Sequence, residues 1–461
     1  MQSTKEPWKS QIWRAQPAFL YSHRPLARYV GRPAAAFLKI EPAAGIVLLV
    51  CAVAAMLWAN SPWASSYESV WGMDITLHFG AFELHHTLKD WINDGLMAIF
   101  FFVVGMEIKS EIVSGHLRSV RNAVAPIAGA IGGMVVPALV YAAFNAGGLG
   151  AGGWGVPMAT DIAFAVGVLA LFGSRIPAAA RVFLLSLAIV DDLGAIGVIA
   201  VFYTDHLSMG WLAAAGVLIA LAVGLRLLNV WSAPIYLIVG IALWVAMLES
   251  GIHATIAGVA MGFIISAKPL LDPGVAHAKV QDMTSGGLTV EETEQVVKLS
   301  RDALPPTDRL QESIHPFSSF VVLPLFALAN AGVALSGDLI ATAATSAVTL
   351  GIVLGLVVGK TIGITLTTWI VVKLGIGRLP TGTGWPLLTG IAAVAGIGFT
   401  VALFITELAF RGEGTELLTD EAKIGVLAGS LIAALLGAGL VALTAPKAGA
   451  KAPAAHEEEH S

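Results

Sequence analysis

For most of its length the chain alternates long apolar runs with short polar breaks. The runs fall at 43–59, 91–112, 123–143, 156–172, 182–202, 211–228, 235–248, 252–265, 317–335, 347–371, 385–408 and 424–443. Each approaches the ~20 apolar residues a helix needs to cross bilayer hydrocarbon. The runs are continuous rather than alternating, which predicts helices and not a β-barrel. The expected fold is therefore an all-α polytopic membrane protein with twelve transmembrane helices. One polar excursion breaks the helical period. In ITLHFGAFELHHTL, Ile75, Leu77 and Phe79 alternate with Thr76 and His78, and a second run follows Gly80. This predicts a small β-hairpin outside the bilayer. Within the polar interruption 268–314, VEETEQVVKL predicts a short surface helix.

Charge sets the expected topology. With twelve spans and an inner N-terminus, all 26 Lys and Arg fall on inner segments except four. Lys89, Arg411 and Lys423 fall outside, and Lys360 falls within a span. That asymmetry predicts cytoplasmic N- and C-termini. Residues 1–39 form a basic cytoplasmic tail near anionic lipid headgroups, and the first run reads as a retained anchor. Residues 40–445 form the transmembrane domain, with 268–314 as an inner loop, and 446–461 form a disordered tail.

Composition adds exclusions. The chain is 56% hydrophobic and 12% charged, with net charge −5 and no basic patch of the kind nucleic acid requires. Its single cysteine, Cys51, excludes an intramolecular disulfide framework and a Cys-rich metal site. His85 and His86 lack a partner motif, so neither a metal site nor a cofactor is expected there.

The candidate chemistry lies in LLSLAIVDDLGAIGVI. Asp191 and Asp192 sit near the middle of an apolar run, where an acid costs on the order of 3 kcal/mol and usually marks an ion or proton path. Lys360, in GIVLGLVVGKTIGITLTTWIVV, has ten or more mostly apolar residues on either side and cannot snorkel to an interface. It must find an acid or lose its proton. MATDIAF places Thr160 and Asp161 in a span approached through GGLGAGGWGVP, and AGIGFT breaks the eleventh run with Gly396 and Gly398. Both segments predict interrupted helices. They hold matching places in two three-helix units, spans 3–5 and 10–12, which suggests inverted-topology repeats around a midplane ion site.

LSLAIVDDLGAI, MATDIAFAVGVLALFGSRIP, LVVGKTIGI, SGIHATIAG, LPLFALANAGV and AGIGFT together resemble the NhaA-type sodium/proton antiporters, over about residues 40–445. The resemblance implies two interrupted helices crossing at mid-membrane in a bacterial inner-membrane protein. It implies that Asp191 and Asp192 bind sodium and protons, with Asp161, Thr160 and Lys360 supporting the site. It further implies that Glu107 and Glu111 belong to a cytoplasmic funnel linked to pH control, that His253 falls in the HAT segment, and that Asp94 is an acid nearer the outer side. Electrogenic exchange of sodium or lithium for protons and a homodimer through a 65–85 hairpin also follow from the resemblance. Read from the residues alone, Glu107 and Glu111 fit a wetted helix end as well as a sensor, and His253 fits a structural as well as a titrating role.

Hard oxygen ligands suit a hard monovalent cation, and the same carboxylate accepts protons. Sodium and protons therefore compete at such a site. The nearest alternative is a sodium-coupled transporter of an organic solute. An intramembrane aspartic protease needs its acids on facing helices, and a channel needs a continuous pore that a buried Lys360 would obstruct, so no enzyme is expected.

Overall fold

The computed structural model describes residues 43–79, 82–204, 207–230, 232–284, 289–412 and 414–445. The expected basic tail and C-terminal tail lie outside the described residues.

Helix α1, Ala43–Ala59, is followed by the short α2, Ala64–Trp71, bent 116° away from it. Then comes the expected hairpin, β1 Asp74–Phe79 against β2 Phe82–Thr87, antiparallel with Asp74 opposite Thr87. The hairpin starts later than 65 because residues 64–71 are helical. Thr87 and Asp90 form a reciprocal capping box, and the chain enters the rod α3, 88–113, through the π turn Trp91–Leu96.

The long helices that follow are α4 Val120–Asn145, α6 Ala178–Phe202, α7 Met209–Leu227 and α8 Ala233–Ser250, with α5, Ile162–Ala170, between the first two. Gly251, at φ +84°, ends α8 in the left-handed conformation that glycine adopts without penalty. Helix α9 is Thr255–Ile264. The polar interruption folds into α10, Pro273–Thr284, and α11, Val290–Asp302. The expected surface helix thus forms, capped reciprocally by Thr289 and Glu292. The Thr289 N–H and O–H hold the Glu292 carboxyl below its usual range.

Helix α12, Pro306–Asn330, starts inside what the sequence suggests is loop. Its polar first turns prolong the apolar rod. After α13, Gly337–Thr345, come α14 Ala347–Lys373, α15 Trp385–Val394, α16 Phe399–Ala409 and α17 Glu416–Thr444. Among the described residues, seven helices are long and apolar enough to cross a membrane, or up to ten if each bent pair is one span. Exposed apolar side chains such as Val217, Ile238, Leu435 and Leu443 cover α7, α8 and α17. Such a surface belongs in lipid, and the chain is a multi-pass membrane protein.

Close packing in lipid relies on small residues, which let helix backbones approach. Gly258 and Gly262 of α9 lie against the Ala98 and Phe102 carbonyls of α3. Gly132 of α4 and Gly363 of α14 each face the other's carbonyl, so a methyl group on either would collide with backbone. The tightest packing thereby gathers two groups. One holds α1, α3, α7–α9 and α12; the other holds α4–α6 and α14–α17. Within the second group the order long helix, bent pair, long helix occurs twice. The bent pairs are a run of 3-10 turns, Leu149–Met158, with α5 at 44°, and α15 with α16 at 48°.

Candidate functional site

The two breaks meet. The first leaves Ala159, Thr160 and Asp161 outside helical geometry; the second leaves Ala395 to Gly398. Backbone groups freed by a break must be satisfied internally in a dry site. Here each break serves the other. Asp161 N–H donates to the Ile397 carbonyl at 2.6 Å, and the Thr160 hydroxyl donates to the Ala395 carbonyl at 2.8 Å. Gly396 is required because a methyl there would strike the Leu356 carbonyl of α14.

Asp161 caps two helices at once. Its Oδ1 accepts from Phe164 N at the start of α5 (3.0 Å), and its Oδ2 accepts from Thr400 N (3.1 Å) and Thr400 Oγ1 (2.5 Å) at the start of α16. Ser430 Oγ of α17 accepts from Phe399 N at 3.1 Å. Helix N-termini carry roughly half a positive charge each, so one carboxylate between two of them offsets both.

Lys360 follows directly on the π turn Gly355–Gly359, a local widening of α14. Its Nζ donates to Thr160 Oγ1 at 2.8 Å and to Asp191 Oδ2 at 2.5 Å. Lys360 and Asp191 are both 0% exposed, and the adjacent Asp192 is 2% exposed. Asp191 Oδ1 and both oxygens of Asp192 receive no hydrogen bond among the described residues. A buried carboxylate without a donor is costly. Carboxylate oxygens without a donor are the kind of ligand a hard monovalent cation or a proton takes.

The other sequence candidates separate. Glu107 lines a cavity of about 380 Å³ with Val103, Asp308, Gln311, Glu312 and His315, between α3 and α12. It is close enough to Asp192 for charge to couple them. Glu111 turns to its own helix end, where its Oε1 accepts from His116 N (2.8 Å) and Ser186 Oγ (3.2 Å). Asp94 lies in the π turn that opens α3, thirteen positions or ~20 Å from Glu107 along a helix, and lines a small pocket with His86, Asp90 and Trp244. His253 is buried with Nε2 2.5 Å from the Tyr203 carbonyl, an acceptor that fixes the proton on that nitrogen.

Several polar groups carry no signal in the sequence. Thr400 and Ser430 read as ordinary span residues, and Asn93 and Asn330 form a buried reciprocal amide pair between α3 and α12 (2.7 and 3.2 Å). Lys89 and Lys423 both bond Glu407. Their partners are remote in sequence, so only the fold reveals them.

Comparison with known proteins identifies the family. The profile of the family described as Na+/H+ antiporter 1 matches residues 35–441. A Frankia alni protein named Na(+)/H(+) antiporter NhaA 3 is 46% identical over 87% of this chain and 86% of its own length. Na(+)/H(+) antiporter NhaA of Rhodopirellula baltica is 46% identical over 92% and 96%, and that of an Anaeromyxobacter species is 47% identical over 93% and 95%. With its broken helices and buried acid pair inside the matched region, the chain belongs to the Na+/H+ antiporter 1 family.

Proposed function

We propose that the chain is a secondary-active sodium/proton antiporter that exports sodium in exchange for protons at the Asp191–Asp192 pair. The observation that carries this is the fully buried Asp192 carboxylate, undonated on both oxygens, beside the Lys360–Asp191 pair. Antiporter names on relatives across nearly the whole chain support it. None of the relatives compared above is named for an organic solute, so that alternative has no comparable support.

Sodium entering from water exchanges its hydration shell for carboxylate oxygens, with Asp192 as the main ligand. Asp191 turns from Lys360 to help bind the ion, and Lys360 returns to it when sodium leaves. Thr160 holds Lys360 in line, and Asp161 fixes the meeting point of the breaks. Protons neutralise the same carboxylates, so the two cargoes exclude one another. When the site faces one side at a time, that exclusion becomes exchange. More protons than sodium ions move per cycle, and lithium substitutes for sodium. Glu107 and the cavity acids receive the cation from the inner side, where pH tunes access. Asp94 lies on the outer route, and His253 and Glu111 support neighbouring helix ends.

Twelve spans fit the helices in hand. The rod 88–113 has its α-helical part shortened by a π turn, and Thr255–Ile264 is only 10 residues long; adding both to the ten candidates gives twelve. Contacts between the first half of one bent pair and the second half of the other support a crossing of inverted repeats. Leu149–Met158 packs on α16, and α15 packs on α5. The 40–445 unit sits in the bacterial inner membrane with both termini cytoplasmic. Among the described residues β1 and β2 pair only with each other as strands, which suits pairing with a second copy.

Everted membrane vesicles holding a proton gradient test the function. Added sodium should collapse the gradient with the wild type and not with Asp192→Asn. A folded wild type giving no sodium response across about pH 6.5–9 would overturn antiport.

A further inference from the structure

The outer end of the molecule holds a charged cluster that the ion site does not use. Glu407, at the end of α16, accepts from Lys89 Nζ on both oxygens at 2.8 Å, and Lys423 Nζ of α17 lies 2.7 Å from its Oε1. Side-chain exposures of 28% for Lys89, 14% for Glu407 and 7% for Lys423 place the cluster largely out of water. Helices α16 and α17 belong to one packing group, whereas Lys89 opens the α3 rod of the other. Of the two ion pairs, only Lys89–Glu407 joins the groups.

One turn inward on α16, Phe404 packs against Phe101 of α3 (5.5 Å between ring centroids) and Phe326 of α12 (6.2 Å). All three rings are at most 2% exposed and form a dry seam between the groups. At the other end of α3 lies the acidic cavity that reaches Glu107. Lys89 and Glu107 are eighteen positions apart, ~27 Å along a helix. The boundary is thus sealed at this end, while the cavity at the far end of α3 opens between α3 and α12 of the first group.

We propose that the Lys89–Glu407 ion pair is an outer lock that holds the groups together on this side and parts when the ion site opens outward. The charge count suits a lock that has to open. Removing the partner of a buried charge is strongly unfavourable, but Glu407 keeps Lys423 on its own group when Lys89 departs. Lys89, the most exposed of the three, is recovered by water. A pair with a single cation would strand the carboxylate.

The lock rests on the alternating-access reading above and deepens it. Hydrogen exchange in lipid nanodiscs tests it without any transport. In Lys89→Gln, which leaves Glu407–Lys423 intact, amides at 399–410 should exchange faster by about three- to tenfold. Amides lining the inner cavity, 103–111 and 307–316, should exchange more slowly, because opening one end closes the other. Lys89→Arg should restore the wild-type pattern. Faster exchange at both ends would mark general loosening, and no change at either end an inert pair; each overturns the lock. Neither result touches the vesicle assay, so failure of the lock and failure of antiport are distinguishable.

Discussion

Lys360 Nζ lies 2.5 Å from Asp191 Oδ2, while the next residue, Asp192, receives no donor on either oxygen. Adjacent helical residues point about 100° apart, so one ammonium cannot serve both equally. The pair therefore divides into a neutralised acid and an available one.

Deleting the ammonium should be costly in two ways. Lys360→Ala leaves Asp191 buried and unpaired, a loss on the order of 3–5 kcal/mol. Thermal unfolding in detergent should show a lower Tm, recovered in part by sodium. Fewer protons should be released per sodium bound. An unchanged proton count would show that Lys360 takes no part in the exchange.

Asp161 should act on position rather than on binding. Asp161→Asn puts an amide NH2 against a backbone N–H at one of the two caps, a loss of about 1–3 kcal/mol. Thr400→Val removes one donor to the same oxygen and should cost about 1 kcal/mol. Both should raise the KM for sodium in proportion to the Tm loss. Loss of sodium binding at unchanged Tm would instead make Asp161 a direct ligand.

Glu107 and Glu111 should differ, although their spacing puts them on one helix face. Glu107→Gln, in the inner cavity, should slow sodium entry from the inner side about tenfold, because a charged funnel raises the local cation concentration. Glu111→Gln keeps an oxygen to accept from His116 N and Ser186 Oγ, loses only its charge, and should alter transport less than twofold. Initial rates at low and high ionic strength separate the two. Equal effects would return both to one role.

Gly363→Ala should prevent close approach of α14 to α4 and cost more than about 3 kcal/mol, since backbone rather than a flexible side chain is in the way. Gly439→Ala in α17, with nothing within 4 Å, should be neutral or slightly stabilising. Expression and Tm of the two variants give the comparison.

Much of this was legible from one chain. Apolar run length located the seven to ten candidate spans among the described residues, and period-2 alternation found the hairpin with strands at 74–79 and 82–87. A doubled acid and a lone lysine deep in apolar sequence marked the candidate site, because charge at that depth is expensive wherever it occurs, and the fold brings Asp191 and Lys360 together. Helix ends were less legible. Residues 306–316 read as loop because polarity, not helicity, changes there, and α12 starts at Pro306. The π turns leave no trace in hydropathy. Partners were least legible of all: Thr400 finds Asp161 across 239 positions and Glu407 finds Lys89 across 318, distances that no local pattern encodes. Glu107 and Glu111 look alike by spacing and differ only in what the neighbouring helices bring to them.

The competition of two cargoes for one buried carboxylate is tested most directly by sodium binding to the purified protein as a function of pH. Displacement of one proton per sodium makes the apparent Kd rise about tenfold for each pH unit on the acid side, and two protons make it about a hundredfold. The wild type should show one of these slopes, and Asp192→Asn should bind no sodium at any pH. Sodium affinity that stays flat as pH falls, with Asp192 intact, would contradict a shared site.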